Sequence, residues 1–262
     1  AKKNLYLTKG SEKMTSGEYY PCVVSHMDTV HGSHRELIES KTNLIIESST
    51  YSEGEDDEMT TLIAKHPITK EQTGIGGDDK CGVYVCLEMF ERFDVLKGAF
   101  FVEEEIGMLG SRHADDLFFV DVGYAIQFDA PSSNWISEVC SGVKLFDEDF
   151  KEEIKGTLNE CGYTKFSVDP FTDVNQLASK YDFNCLNLGC GYYRQHTTSE
   201  YVVVEEVSDS IKAGYELITK LGVEKYVHKK IEKKTLVNET SYSYLSYNDS
   251  EDYDFESDEY DD

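Results

Sequence analysis

Five short stretches of this sequence place imidazoles or carboxylates directly behind an apolar run. VVSHMDTVHG carries His26, Asp28 and His31, and GIGGDDKCG carries Asp78 and Asp79. FFVEEEIG carries Glu103, Glu104 and Glu105, AIQFDAP carries Asp129, and GYYRQHTTSEY carries His196. Imidazoles and carboxylates move protons and bind cations. Carboxylates that crowd together repel one another strongly, and a pair of divalent cations removes that repulsion. Mixed nitrogen and oxygen donors without cysteine suit Zn²⁺ and leave a coordination position for water. One such stretch alone is more often structure or solvated surface. The informative pattern is that all five occur in order, each at a strand end.

Residues spread this widely meet only if the elements behind them converge. NLYLTKG and YYPCVVSH read as strands, expected to pair antiparallel around a turn at Ser16 and Gly17. TLIAKHPI, GAFFVEE, DVGYAIQFD, TKFSV and NCLNLGC read as further strands. Helical spacing marks KCGVYVCLEMFERF, GMLGSRHADDLF, FKEEIKGTLNECG, TDVNQLASKY and a final helix over 205–221. SSTYSEGEDDEMTT reads as an exposed acidic loop. This alternation predicts an α/β fold of three layers, αβα, with a mostly parallel or mixed central sheet. In such sheets ligands bind beyond the carboxyl ends of the strands, where the five segments terminate.

Composition narrows the partners. The 51 acidic against 25 basic residues give a formal charge of −26, which repels phosphate backbones and anionic lipids, so neither nucleic acid nor membrane is expected. The opening AKKNLYLTKG has no apolar core of a secretion signal. The seven cysteines are odd in number, lie in apolar runs and form no C-x-x-C pair, which reads as reduced core thiols in a cytoplasmic protein. Residues 236–262 form an acidic, tyrosine-rich stretch expected to be a disordered tail behind one domain of 1–235.

The series SHMDTVHG, GGDDKCG, FVEEEIGMLGS, AIQFDAP and YYRQHTTSEYVVVEEV resembles the co-catalytic dizinc exopeptidases, and within them the peptidase T (tripeptide aminopeptidase) branch. The resemblance runs from about residue 4 to residue 222. It implies a zinc exopeptidase-like (phosphorylase/hydrolase-like) fold, two Zn²⁺ ions with Co²⁺ or Mn²⁺ as alternatives, and a short peptide as substrate. By position it makes His26 and Asp129 ligands of one ion, Glu105 and His196 ligands of the other, and Asp78 the bridge, with a cis peptide after Asp78. Glu104 takes the general acid/base role, and Asp28 is the carboxylate that orients His26. Thr172 and Asp173 match a T-D segment that the family keeps near its site. Relatives insert a dimerisation or lid domain between the Asp129 and His196 segments, and this chain has no room for one, so a monomer or weak oligomer is expected. The helix and strand that relatives place before NLYLTKG also have no counterpart here.

Residues outside this set read more plainly. Glu103 is expected to point outward from its strand, and Asp79 either to support the ligands from behind or to supply charge to a helix N-terminus. His34, His66, His113 and His228 read as surface residues, and His31 as a loop cap or a substrate contact. Tyr193 or Arg194 is a candidate for holding substrate. Two other functions fit the same segments: an N-acyl amino acid amidohydrolase, and an inactive metal-stabilised binding protein.

Overall fold

The computed structural model describes residues 3–31, 42–52, 58–169 and 171–230. The expected tail and His34 lie outside the described residues. In chain order the strands are β1 (Leu5–Lys9), β2 (Tyr20–His26), β3 (Ile45–Ser52), β4 (Glu58–Lys65) and β5 (Gln72–Thr73). They continue as β6 (Leu96–Phe101), β7 (Val122–Ala130), β8 (Trp135–Cys140), β9 (Val143–Lys144), β10 (Lys165–Asp169), β11 (Asn184–Gly189), β12 (Tyr192–Tyr193) and β13 (Tyr201–Val203). Among the described residues, the four helices of eight residues or more are α1 (Gly77–Arg92), α2 (Glu148–Glu160), α3 (Asp173–Lys180) and α4 (Val204–Leu221).

The main sheet runs β1-β6-β2-β7-β11-β8-β10, with β9 on β8. Strands β6, β2, β7 and β11 are mutually parallel, and β1 is antiparallel to β6. Their sequences explain the position. YPCVVSH, LKGAFF and NCLNLG are buried at every residue, as parallel strands covered on both faces require. Helices α1 and α4 pack together on the sheet, and α3 lies against β11, β7 and β2. The layers are therefore αβα around a mixed sheet, as the alternation predicts. Segment 131–195 is taken up by strands β8 to β12 and helices α2 and α3, with no further domain inserted among its described residues.

Three elements differ from the sequence reading. β1 and β2 run antiparallel but do not pair, because β6 enters between them. Sheet order is decided by which buried strands pack best, and a local turn does not dictate it. The acidic stretch expected as a loop instead contributes to the β3–β4 hairpin, part of a second sheet ordered β12-β13-β4-β3. The helix expected over GMLGSRHADDLF is two four-residue turns, Leu109–Arg112 and Asp116–Phe119. All seven cysteines are unpaired thiols and six are buried, matching the expectation. No helix among the described residues is long and apolar enough to cross a membrane.

Helix α2 has a cap with a measurable signature. The Asp147 carboxylate accepts N–H bonds from Phe150 (3.0 Å) and Lys229 (2.8 Å). Burial pushes this carboxyl up, but those two N–H groups, with His228 and Lys229 beside it, hold it below the usual range. A depressed folded-state pKa means that its stabilisation is present above the unfolded value and is lost as pH falls through the folded one. Asp147→Ala is expected to cost about 1 kcal/mol at pH 7. In urea unfolding the gap between variant and parent should shrink as pH falls below ~4.

Candidate metal centre

His26 ends β2 and is buried to 1% exposure. Its Nε2 lies 2.9 Å from Asp78 Oδ1 and 3.5 Å from Asp129 Oδ1. On the other side, His196 Nε2 lies 3.1 Å from Asp78 Oδ2 and 2.9 Å from Glu105 Oε2. Asp78 thus divides its two oxygens between two imidazoles, each of which also faces a second carboxylate. All five sequence-predicted ligands are brought together. They come from the ends of β2, β6 and β7, the start of α1 and the loop after β12.

Local chain geometry makes this convergence possible. The Asp78–Asp79 peptide is cis, as the resemblance implies, and both residues depart from helical dihedrals within the first turn of α1. Asp79 faces inward. Its Oδ2 accepts from Ser25 Oγ (2.6 Å) and the His26 N–H (3.1 Å), and its Oδ1 accepts from the Gly82 N–H (3.0 Å). It is a fully engaged brace between β2 and α1, which accords with the supporting role, the first of the two expected of it. A Cβ at Gly82 would stand 2.2 Å from Asp79 Oδ1 and 2.6 Å from the Phe128 carbonyl, so only glycine lets α1 approach this closely.

β6 stops at Phe101, and residues 103–105 lie past it in a turn. Glu103 is therefore not the outward strand residue expected. It adopts a positive φ of 58°, and its carbonyl accepts the Leu109 N–H. The Asp28 carboxylate accepts the main-chain N–H of Glu104 (3.1 Å) and of Glu105 (3.2 Å). His26 Nδ1 is 3.1 Å from the Asp28 carbonyl and 3.6 Å from its carboxylate. Asp28 orients the imidazole through its backbone, while its carboxylate fixes the two glutamates.

The residues fit divalent cations. Zinc ligands at ~2.0–2.2 Å in tetrahedral array stand roughly 3.3–3.5 Å from one another. Of the imidazole–carboxylate separations, 3.5 Å equals that spacing, and those of 2.9–3.1 Å are a few tenths of an ångström shorter, at hydrogen-bond length. Glu105 Oε1 is buried without a hydrogen-bond partner, so one carboxylate oxygen of the cluster is unsatisfied. The donor atoms of His26, Asp78 and Glu105 all lie within 4.8 Å of one another, as do those of His26, Asp79 and Asp129. Because protein donors already occupy Asp79, Asp78 is the better assignment.

Electrostatics tell the same story. Among these side chains alone, burial, then Asp129, pushes Glu104 up to about 9, with Asp173 and Glu105 adding to the shift and His26 opposing it. Burial and Asp78 push Glu105 up to about 7, and burial pushes Asp129 up to about 6 against the pull of His26. His26 is lowered by burial but raised further by Asp129, Asp28 and Asp78, ending well above its usual value. His196 rises to about 8, chiefly through its bond to Asp78. Asp78 resists burial because both imidazoles hold it below the usual carboxylate range. Such a crowd of carboxyls titrating far from their ordinary values is what bound cations relieve.

A cavity of about 870 Å³ opens over the cluster. Glu104 lines it beside Asp78, Glu105, Asp129 and His196, and Tyr192 and Gln195 complete that wall. Tyr192 donates its hydroxyl to Asp129 Oδ1 at 3.1 Å. Neither earlier candidate for holding substrate lies on this wall. Tyr193 turns away to Glu206, and Arg194 is exposed. Asp173 is wholly buried behind Glu104, and burial pushes it up to about 7. Thr172 bonds Gln127 at 2.7 Å. His66 and His113 sit in turns, whereas His228, expected at the surface, is 7% exposed.

Glu200 is the residue that sequence reasoning missed. It is fully buried, and its Oε2 meets the Gly76 N–H (2.7 Å) and His31 Nε2 (2.8 Å). Its Oε1 accepts the Asp78 N–H at 3.1 Å. His31 is therefore a loop anchor, packed so closely on Gly74 that a Cβ there would fall 1.9 Å from the ring. The signal was only the S-E that follows H-T-T, which reads as a surface turn.

No protein-family model and no curated protein matches the sequence. Solved structures do match the fold. Aminopeptidase PepT from Bacillus cereus ATCC 10987 superposes with a TM-score of 0.57 at 15% identity, over 83% of this chain and 84% of its own. The Pyrococcus horikoshii TET1 peptidase, which can assemble into a tetrahedron or a large octahedral shell, gives 0.54 at 14%, over 82% and 86%. A tripeptidase from Staphylococcus aureus subsp. aureus Mu50 gives 0.53 at 13%, over 82% and 83%. At these identities the likeness speaks for architecture: the chain has the α/β fold on which these peptidases are built.

Proposed function

We propose that this protein is a cytoplasmic, zinc-dependent exopeptidase of the dizinc superfamily that removes the N-terminal residue of short peptides. The observation that carries this reading is Asp78, shared between two imidazole–carboxylate pairs beneath a cavity that Glu104 also lines. His26, Asp78 and Asp129 would hold one ion, and His196, Asp78 and Glu105 the other. When bound, the two ions supply the charge that polarises the scissile carbonyl and acidifies the attacking water. Glu104 takes the proton of that water and returns it to the leaving amine. Asp28 keeps Glu104 and Glu105 in place through their backbone N–H groups. With no lid domain among the described residues, the cavity wall itself would hold the peptide over Glu104.

An N-acyl amino acid would bring its own carboxylate into this cavity. Among the lining residues described there is no lysine or arginine to receive it, which favours the aminopeptidase over the deacylase. That no dimerisation domain is inserted among the described residues of 131–195 supports a monomer or weak oligomer, and sedimentation velocity would test that part against the shell formed by the TET1 peptidase.

Metal analysis with a panel of di- and tripeptides and N-acyl amino acids tests the proposal. Two metal ions per chain and stepwise release of N-terminal residues are expected, with activity lost on chelation and restored by zinc. Fewer than two ions, with no member cleaved, would sink it and leave the binding-protein reading.

A further inference from the structure

We propose that Asp169 is a recognition residue that receives a positively charged group of the substrate. The inference rests on reading the cavity as a peptide site. β10 pairs with β8, and their register shifts between Ser167 and Val168. A strand normally turns successive side chains to opposite faces, but here Val168 and Asp169 both line the cavity, as an irregularity of this kind permits. Val168 is 76% exposed and Phe171 60% exposed, so this wall presents apolar surface that no group among the described residues covers. Trp135 and Pro131 extend the apolar lining towards Asp129. A concave apolar wall with one polar group set in it has the usual composition of a ligand subsite.

The charge on that wall is also uncompensated. Asp78, Glu105 and Asp129 face imidazoles, whereas among the described residues the Asp169 carboxylate has only the Ser167 hydroxyl, at 2.9 Å on Oδ2. No lysine or arginine among the described residues lines the cavity or lies within 4.0 Å of Asp169. One carboxylate oxygen is thus held in orientation by Ser167 while the other is open. An ammonium or guanidinium carried over Val168 and Phe171 on an alkyl stem satisfies both the charge and the apolar wall. The cation can come from a basic side chain or from the peptide's own amino terminus.

Calorimetry separates these sources without relying on turnover. Zinc-loaded Glu104→Gln protein, with and without Asp169→Asn, would be titrated with Lys-Gly-Gly, norleucine-Gly-Gly and N-acetyl-Lys-Gly-Gly. Asp169→Asn is expected to weaken binding of the peptide that carries the recognised charge about tenfold, as loss of one charge-assisted contact does. A loss confined to the two lysine peptides assigns the side chain, and a loss confined to the two free amino termini assigns the α-ammonium. Equal affinities in both proteins for all three peptides, or no measurable binding of any, would overturn the proposal. Failure of the peptide panel above would instead strike the catalytic reading, since binding is scored here whether or not a bond is cut.

Discussion

Replacing Glu104 with glutamine is expected to lower kcat on a tripeptide by about 10²–10⁴-fold, the usual contribution of a positioned general base. Metal content should stay at two ions per chain. Glu104 meets Asp28 through its main-chain N–H alone, so the substitution leaves that bond intact. The amide keeps the size and polarity of the carboxyl but cannot accept and return a proton. Glu105→Gln is the informative contrast. Glu105 stands 2.9 Å from His196, within the second imidazole–carboxylate pair. Its loss should lower metal content along with rate. Full activity in Glu104→Gln would remove this residue from the mechanism, and equal metal loss in both variants would dissolve the distinction between base and ligand.

The second large effect is expected at Glu200. Glu200→Ala leaves the Gly76 and Asp78 N–H groups buried without acceptors and His31 without its carboxylate. Each buried donor left unsatisfied costs ~1–3 kcal/mol, so a total of about 3 kcal/mol is expected in urea unfolding. Asp78 depends on this anchor for its backbone position, and removal of such a supporting group typically weakens metal affinity by roughly 10–100-fold. Competition with a chromophoric chelator would read that loss. Glu200→Gln keeps one oxygen acceptor and should fall between parent and alanine. If alanine matches the parent in both stability and zinc affinity, the buried carboxylate has no positioning role.

How much of this was legible in the sequence follows from where each residue sits. His26, Glu104, Glu105 and Asp129 follow apolar runs, and the end of a buried parallel strand is a place that sequence pattern marks well. Asp78, at the start of α1, and His196, in the loop after β12, were legible through the motifs around them. Helices α1 and α4 were equally plain, since their apolar spacing persists over several turns. The order of strands was not. Nothing local to NLYLTKG or YYPCVVSH says that LKGAFF will lie between them. The β3–β4 pairing was hidden because IIESSTYS and EMTTLIAK flank a run of charged residues in the sequence and alternate weakly. Glu200 and Asp169 were missed for a related reason. Each is a carboxylate whose importance lies in what packs around it, and packing is a property of the whole fold. Asp28 was assigned to the right neighbourhood, but its carboxylate serves main-chain N–H groups, which leave no trace in sequence.

The candidate ligands run from His26 to His196 and are carried by segments that meet only in the finished sheet, with β6 inserted beside β2 and β11 added beside β7. No shorter stretch of the chain holds a complete set. A chain with any of these strands undocked would therefore lack the cluster on which the proposed function rests. On that proposal, cleavage of peptides would depend on contacts between segments far apart in sequence, and an incompletely folded chain would be inert.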